Sequence, residues 1–376
     1  MHIVGTILLV YWALALLNTI LNLLLIRRVR PRALDREPLV SIIVPARDEE
    51  RSIEVTVRAL LSQDYGSFEL IVVNDRSTDA TGAILARIAA EDARLRVVDN
   101  EEPPPGWLGK PWALHQGSRH ARGELLLFVD ADILYGPGAL RAVVAEIERS
   151  GVTMIGLFPH LEMHGLWENA TMANLPMLGF TFLPTWLGDR LKLTTLAIGG
   201  GTGNLIRHAD YEAIRGHEAL KAAVVDDIGL ARHVRSSGRH TELIRAENLI
   251  SVRMYHGLAE MVRGFTKNSF ATMDRRYVAV ILGLLFSLLV NVFPYVWALT
   301  GDRLALATVG LITLTRVILF ATLGYPLWSA VFLHPLQILL WTFIMARSMW
   351  ITGVRRQLNW RGRSYDAAQT RFGAER

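Results

Sequence analysis

The sequence predicts an α/β domain with a mostly parallel sheet, set between hydrophobic helices at either end of the chain. Three observations predict it. Short β-branched runs alternate with helical periodicity from Leu39 to Glu148. Polar residues cluster just past the ends of those runs, where such sheets bind ligands. Two stretches, Ile3 to Ile26 and Tyr277 to Thr300, carry no charged residue and exceed the roughly 20 residues a bilayer crossing takes.

The chain has 376 residues, 51% of them hydrophobic, and a mean hydropathy of +0.27. That excess sits at the ends. Leu304 to Met345 is a third oily zone, interrupted by Arg316 and His334, whereas Arg27 to Arg276 is mixed and charged. The expected plan is an anchor over 1–27, an α/β domain over 38–255, an amphipathic interface helix over 256–276, a membrane region over 277–352 and a basic tail over 353–376. Ile3 to Ile26 has no basic flank before it and no small-residue cleavage site, so it reads as a retained anchor. Arg27, Arg28, Arg30, Arg32 and Arg36 follow the first span, and Arg275 and Arg276 precede the second. The positive-inside rule then puts the α/β domain in the cytosol, in a multi-pass protein of the inner (plasma) membrane. Arg355, Arg356, Arg361 and Arg363 ask for the same side. Three full C-terminal crossings would leave them outside, so one oily stretch is re-entrant or interfacial, and the sequence leaves open which.

Cysteine is absent, which excludes disulfides, thiolate metal sites and cysteine nucleophiles. The net charge of +5 lies largely at the membrane flanks, where it reads as a topology determinant beside anionic lipid and not as a nucleic-acid patch.

The elements follow in order. After a linker at Pro31 to Pro38, Leu39 to Pro45 is a continuous apolar run, as a buried parallel strand requires. Asp48 to Ser62 has helical spacing. Glu69 to Val73 is a second strand, ending at Asn74-Asp75. Thr78 or Asp79 caps a helix to about Ala90. Leu95 to Val98 is a third strand, and Pro111 to Ala121 is helical. Glu124 to Val129 is a fourth strand, ending at Asp130-Ala131-Asp132, and Pro137 opens a helix to about Glu148. Asn169 to Gly188 is oily but broken by Pro176 and Pro184. It reads either as a segment in the membrane interface, anchored by Trp167, Phe180, Phe182 and Trp186, or as ordinary buried chain. His256 to Met273 mixes apolar residues with Arg263 and Lys267 and fits an amphipathic helix.

Asp130 and Asp132 are the strongest chemical feature. Residues i and i+2 of a strand share a face, so two carboxylates converge at the ligand edge of the sheet. Such a pair repels unless a cation lies nearby, and a hard divalent ion held by carboxylates and substrate phosphates is the usual solution. Asp75 ends the second strand, where a carboxylate accepts hydrogen bonds from a base or ribose, while Ser77, Thr78 and Asp79 suffice for the turn. Glu49 follows the first strand and either acts with Asp48 at a nucleotide or caps the next helix. Lys110 opens a helix after a Pro-Gly-rich loop, a place for a diphosphate, although the pattern of a P-loop is missing. Gly199 to Asn204 permits close backbone approach. One of Asp226 and Asp227 caps a helix, and the other, taken as Asp227, is a candidate general base. The histidines lack metalloprotease spacing and no G-x-S-x-G elbow is present, so a hydrolase is poorly supported.

The ordered set VPARDEE, VVNDRSTD, PPGWLGKPWALHQG, FVDAD, GGGTGN and VVDDIGLAR resembles family-2 glycosyltransferases of the GT-A fold. PPGWLGKPWAL is particularly similar to the hopene-associated and carotenoid-type enzymes, relatives of ceramide glucosyltransferase. The resemblance covers roughly Leu39 to Phe270. It implies inverting transfer from a UDP-sugar with Mg²⁺ or Mn²⁺ to a membrane lipid such as a hopanoid, a carotenoid or a ceramide- or glycerolipid-like acceptor. Carried over by position, Pro45, Ala46, Glu49 and Asp75 would hold the nucleoside, Lys110 the diphosphate, and Asp130 and Asp132 the metal; Gly201, in the glycine run, reads from the residues alone either as a sugar or acceptor contact or as part of a plain turn. Asp227 would be the base. Many membrane relatives carry Q/R-x-x-R-W after the base. Here only RGFTKN stands in its place, with Arg263 and Lys267 as substitute phosphate contacts, which weakens any analogy to processive synthases. Two rival readings remain: transfer to a polyprenyl phosphate, and a non-catalytic membrane scaffold or lipid-translocating protein.

Overall fold

The computed structural model describes residues 2–273, 275–355, 357–360, 363–366 and 370. Helix α1 (His2–Leu25) leads into a seven-stranded sheet. In chain order its strands are β1 (Val40–Ala46), β2 (Phe68–Asn74), β3 (Leu95–Asp99), β4 (Leu125–Phe128), β6 (Met154–Phe158), β8 (Asn204–Arg207) and β9 (Thr241–Arg245). A second sheet is formed by β5 (Ile133–Tyr135), β7 (His160–Leu161) and β10 (Ile250–Val252).

The spatial order of the large sheet is β3-β2-β1-β4-β8-β6-β9. Every pairing is parallel except those of β8, which runs antiparallel to β4 and β6. Ile42, Ile43 and Val44 of β1 are all inaccessible to solvent, as a strand covered on both faces must be. Ile42 and Val44 pack with residues of α2 (Ile53–Leu61), α3 (Thr81–Glu91) and α5 (Ala139–Ser150). On the other face Ile43, Leu126 and Phe128 pack with Leu114 of α4 (Gly109–Arg119) and Leu230 and Val234 of α10 (Asp226–Ser236). The predicted mostly parallel α/β sheet is thus present. Strands β6, β8 and β9, which complete it, lie beyond the reach of the sequence reading.

Helix α2 begins at Ile53 and not at Asp48. Asp48 takes a left-handed conformation, φ 50°, and its Oδ1 accepts from Thr78 N at 2.8 Å. Residues 48–50 are stitched to the opening of α3: Glu50 N donates to Asp79 Oδ2 (3.1 Å), and Asp79 Oδ1 accepts from Thr81 N (3.0 Å).

The oily segment after β7 folds as α6 (Gly165–Met172), α7 (Asn174–Met177), one π-helical turn (Leu178–Phe182) and α8 (Thr185–Arg190). It is held by polar residues of α1. Asn22 Nδ2 donates to Phe180 O (2.9 Å) and Leu183 O (2.8 Å), Asn22 Oδ1 accepts from Trp186 N (2.9 Å), and Asn18 Nδ2 donates to Thr181 O (2.9 Å). Phe180 is completely buried, edge-on to Phe158 at 4.9 Å. Of the two readings of this segment, Phe180 thus follows the buried one, packed on the sheet from the π turn, while Trp167 remains 44% exposed.

Short α9 (His208–Ala213) follows β8, and the amphipathic helix is α11 (Leu258–Asn268), with Met261 and Phe265 buried and Arg263 exposed. The remaining helices are α12 (Tyr277–Asn291), α13 (Phe293–Ala298), α14 (Arg303–Leu323), α15 (Leu327–Phe332) and α16 (His334–Ser348). Among the described residues three helical stretches are long and apolar enough to cross a membrane: His2–Leu25, Tyr277–Ala298 and Arg303–Leu323. A hairpin of β11 (Gln357–Trp360) and β12 (Arg363–Asp366) follows. Of the tail arginines, Arg356 and Arg361 lie outside the described residues.

The arginines after α1 pair with acids of the α/β domain. Arg27 pairs with Glu146 (2.8 Å), Arg28 with Glu247 (3.1 Å) and Arg36 with Glu124 and Glu148 (both 2.8 Å). Between them, Val29 N donates to Arg245 O and Arg245 N to Arg27 O, so the chain leaving α1 pairs with the edge strand β9. Replacing Asn22 by Leu removes the bonds that seat the α6–α8 segment. Thermal unfolding in detergent should show a loss of about 1–2 kcal/mol, and no loss would mean that α1 and this segment are not coupled.

Candidate active site

The parallel strands β1, β2 and β4 end on one edge of the sheet. Because β8 is antiparallel, Asn204, its first residue, pairs with Phe128, the last of β4. The glycine run 199–203 is thereby delivered to the same edge, beside Asp130.

At the β1–β2 end, Asp75 N donates to Ala46 O at 2.8 Å, and Pro45 lies in register with Val73. Asp75 is buried. Its Oδ1 accepts from Asn100 Nδ2 (3.1 Å), and its carbonyl accepts from Arg47 Nη1 (2.8 Å). Glu49 N donates to Thr81 Oγ1 (2.8 Å), while its carboxylate accepts from Ser52 Oγ (3.2 Å) and acts electrostatically on Asp132. Glu49 thus braces the turn before α2, and its charge is felt at Asp132.

That centre is tied together by the backbone of Gly201. Asp130 N donates to Gly201 O (2.7 Å), and Gly201 N donates to Asp227 Oδ2 (2.9 Å). Asp227 Oδ1 accepts from Ile228 N (2.7 Å), and Asn204 Nδ2 donates to Asp227 O (3.2 Å). A Cβ on Gly201 would fall 2.1 Å from Asp130 Oδ2, and one on Gly199 would fall 2.4 Å from Asp227 O. Both distances are inside contact: at Gly199 the obstacle is main chain, so only glycine fits, whereas at Gly201 it is the Asp130 carboxylate, which an added Cβ would displace. Lys110 Nζ lies 2.8 Å from Asp130 Oδ1 and 3.4 Å from Asp226 Oδ1. Asp226 and Asp227 both sit in the first turn of α10, where the helix dipole favours negative charge.

The expectation that Asp130 and Asp132 project from one strand face needs correction. Strand β4 stops at Phe128, and Ala131-Asp132 form a turn. The two carboxylates still lie close enough to interact, with Ala131 buried. Burial, then the charges of Asp130 and Glu49, push the Asp132 carboxyl up to about 7. Burial, then Asp226, push Asp227 up to about 6 against the pull of Lys110. Burial also raises Asp130, which Lys110 and Lys267 oppose. For Lys110, burial acts downward, yet Asp130, Asp226 and Asp227 outweigh it and hold the ammonium well above its ordinary value.

The structure thus brings Glu49, Lys110, Asp130, Asp132, Gly201, Asp227 and Lys267 to one centre, with Pro45, Ala46 and Asp75 on the neighbouring strand ends. Arg263 is not brought in. It lies one turn before Lys267 on α11, exposed and without a hydrogen bond or ion pair to these acids. Sequence reasoning missed Arg47 and Asn100, and took Asn204 only as the end of the glycine run; Asn100 directly follows β3, and position after a strand end was the signal that could have found it. Among the described residues no group of three or more acidic or histidine side chains is gathered to hold an ion alone. A cation here would need oxygens from a ligand besides Asp130 and Asp132, which suits a site that takes a diphosphate.

The chain is a glycosyltransferase with the GT-A fold. Residues 41–215 match the family described as Glycosyl transferase family 2, and the chain carries a domain of that family. A 4,4'-diaponeurosporenoate glycosyltransferase of Staphylococcus aureus (strain MRSA252) is 25% identical over 344 residues, covering 88% of this chain and 89% of the relative. Its namesake from Staphylococcus haemolyticus (strain JCSC1435) is 26% identical over 234 residues, 61% of this chain and 60% of that protein. The mannosyltransferase PcManGT from Pyrobaculum calidifontis, solved in complex with GDP-Man and Mn²⁺, shares the fold with a TM-score of 0.52 at 18% identity, over 93% of this chain and 99% of that one.

A carboxyl whose folded pKa lies above its unfolded value destabilises the fold once ionised. For Asp132 that cost is absent below about pH 4 and complete above about pH 7. Mn²⁺ should therefore raise the thermal midpoint at pH 8 and do so much less at pH 5; equal shifts at both would exclude ion binding by these carboxylates. Gly201→Ala should leave the midpoint within a few degrees while displacing Asp130, with transfer falling about 10²-fold.

Proposed function

We propose that the chain transfers a sugar from a nucleotide-sugar donor, a UDP-sugar by its resemblance, to a lipid acceptor at the membrane, with inversion at the anomeric carbon. The observation that carries this reading is the Gly201 bridge, which holds Asp130 and Asp227 on either side of one backbone unit beside Lys110. A donor-side acid and an acceptor-side base are thus fixed relative to each other by main chain.

Asp75 and the ends of β1 and β2 hold the nucleoside. Lys110 and Lys267 bring positive charge to the diphosphate, and Arg263, exposed on α11, has no part in this. Asp130 and Asp132 would hold Mg²⁺ or Mn²⁺, which when bound offsets charge on the departing diphosphate. Asp227 takes the proton of an acceptor hydroxyl. Its carboxyl, pushed up to about 6, is ionised at neutral pH yet more basic than an ordinary aspartate. Three apolar helices and the arginines at their flanks support a multi-pass protein of the inner membrane with its α/β domain in the cytosol. Helix α11 joins site to membrane: Lys267 acts on Asp130, and Phe265 packs on Trp341 of α16 with ring centroids 4.6 Å apart.

Among acceptors, the relatives' name favours a carotenoid-type lipid, with hopanoid and ceramide- or glycerolipid-like molecules behind it. That name also supports a second reading. An "-oate" acceptor is a carboxylate, which arrives ionised, as a polyprenyl phosphate does, and needs no base. Purified protein incubated with UDP-sugars, Mn²⁺ and total lipid, read by mass spectrometry, should yield a glycosylated lipid, and Asp132→Asn should abolish it. With a hydroxyl acceptor, Asp227→Asn should cost at least about 10²-fold, and wild-type kcat/KM should fall below about pH 6. Transfer retained by Asp227→Asn would favour an ionised acceptor, and full turnover by both variants would refute the site.

A further inference from the structure

Arg316 lies in the second half of α14, a helix long and apolar enough to cross a membrane, and is wholly buried. A charge at such depth is costly and persists where it faces the bundle interior and finds partners. Its partners fall on one short stretch. Nε donates to Ala330 O (2.8 Å), Nη2 to Ser329 O (2.9 Å) and Nη1 to Gln337 Oε1 (2.6 Å), while Nη1 also meets His334 Nδ1 at 3.2 Å. Ser329 and Ala330 belong to the end of α15; Ser329 O also accepts from Leu333 N (3.2 Å), and Ala330 O lies in the last turn, whose carbonyls a helix leaves open. The guanidinium caps the negative end of that helix in a place from which water is excluded.

The contacts along the neighbouring helices fix the depth of this turn. The end of α14 lies against the α/β domain: His160 Nδ1 meets Leu323 O at 3.3 Å, and Leu161 N donates to Tyr325 Oη at 3.3 Å. The chain reverses at Gly324, φ 76°, and α15 returns alongside α14 to the level of Arg316. There α16 begins. His334 Nε2 meets Asn291 Oδ1 at the end of α12 (3.2 Å), and its ring lies edge-on to Trp12 of α1 at 5.6 Å. Helix α16 then runs back along α12. Ser348 Oγ accepts from Phe270 N (3.0 Å) and donates to Thr266 O (2.6 Å), and Gly353 is packed on Tyr277, the first residue of α12. Tyr277 to Asn291 spans roughly 20 Å, short of the roughly 30 Å hydrocarbon core. The far end of the bundle is elsewhere, where Leu8 packs with Trp297 and Ala305 beside the 299–302 turn. The α15–α16 turn does not reach it. Phe332, just before that turn, is 74% exposed, and Leu327 and Trp328 are exposed as well, an apolar surface suited to lipid.

We propose that α15 and α16 form a re-entrant hairpin, dipping into the membrane and leaving it on the face that carries the α/β domain, with Arg316 capping its buried turn. The chain then crosses three times, and Arg355 emerges on the catalytic side, as the positive-inside rule asks of a basic tail. Irregular backbone at membrane depth is tolerated only where protein satisfies it, which is the service Arg316 performs. The inference rests on the membrane setting and not on the transfer reaction.

The native chain has no cysteine, so single-cysteine variants report cleanly. Ser236→Cys marks the α/β domain, Thr300→Cys the far turn and Arg355→Cys the segment after the hairpin. In sealed vesicles of one orientation, a membrane-impermeant maleimide should label Arg355→Cys from the same side as Ser236→Cys, and Thr300→Cys from the opposite side. Labelling of Arg355→Cys together with Thr300→Cys would make α15–α16 a full crossing and overturn the proposal. The cap is tested separately with Phe332→Cys, which should be shielded in the parent chain and label about tenfold faster when Arg316→Met is added, the equivalent of about one lost hydrogen bond. An unchanged rate would remove Arg316 from that role. The side assignment is read with Arg316 intact, so it stands whether or not Arg316→Met folds.

Discussion

Buried carboxylates must be compensated or they lose their charge, and the centre of this molecule is organised around that constraint. Asp130, Asp132, Asp226 and Asp227 gather at one sheet edge, where burial and mutual repulsion push several of them above the ordinary range. Lys110 and the two backbone donors on Asp227 keep the cluster ionisable. The close approach of Gly199 to the Asp227 backbone and of Gly201 to the Asp130 carboxylate follows from the same crowding. An edge this rich in negative charge is poorly matched to a neutral ligand and well matched to a cation carrying a diphosphate.

The parts of this design legible from sequence were those encoded locally. Strand β1 is a run of buried β-branched residues, so its type and burial on both faces could be read directly. Asp75 and Asp130 follow strand ends, and position alone marked them. Strand β8 was invisible because its role depends on pairing with β4 and β6, far away in sequence. Its antiparallel course is what brings the 199–203 run to Asp130, so the glycines were noticed without the reason for them. Arg263 and Lys267 show the complementary limit. Both are basic and one helical turn apart, and only the packing of α11 distinguishes the one that reaches the centre from the one that faces away. Phe180 was left open between a lipid anchor and buried chain for a related reason: its aromatic character suits either, and only the π turn sets it against Phe158.

The arginines following α1 carry two kinds of information at once. Flanking charge sets the side of a membrane on which a segment stays, and the pairs of Arg27, Arg28 and Arg36 with acids of the α/β domain fasten that domain to its anchor. Surface pairs of this sort contribute little singly. Here they accompany main-chain bonds to β9, so the joint between anchor and sheet is a piece of secondary structure and not a flexible tether.

Helix α11 presents Lys267 to Asp130 on one side and Phe265 to Trp341 on the other. The boundary drawn near residue 255 on composition is therefore no boundary of the working unit. A fragment trimmed to the water-loving part would keep the sheet, the strand-end acids and Lys110, yet it would lose Lys267 from beside Asp130. The α/β domain and the apolar helices pack as one unit through α11, so truncation at that point would cut into the acidic centre itself.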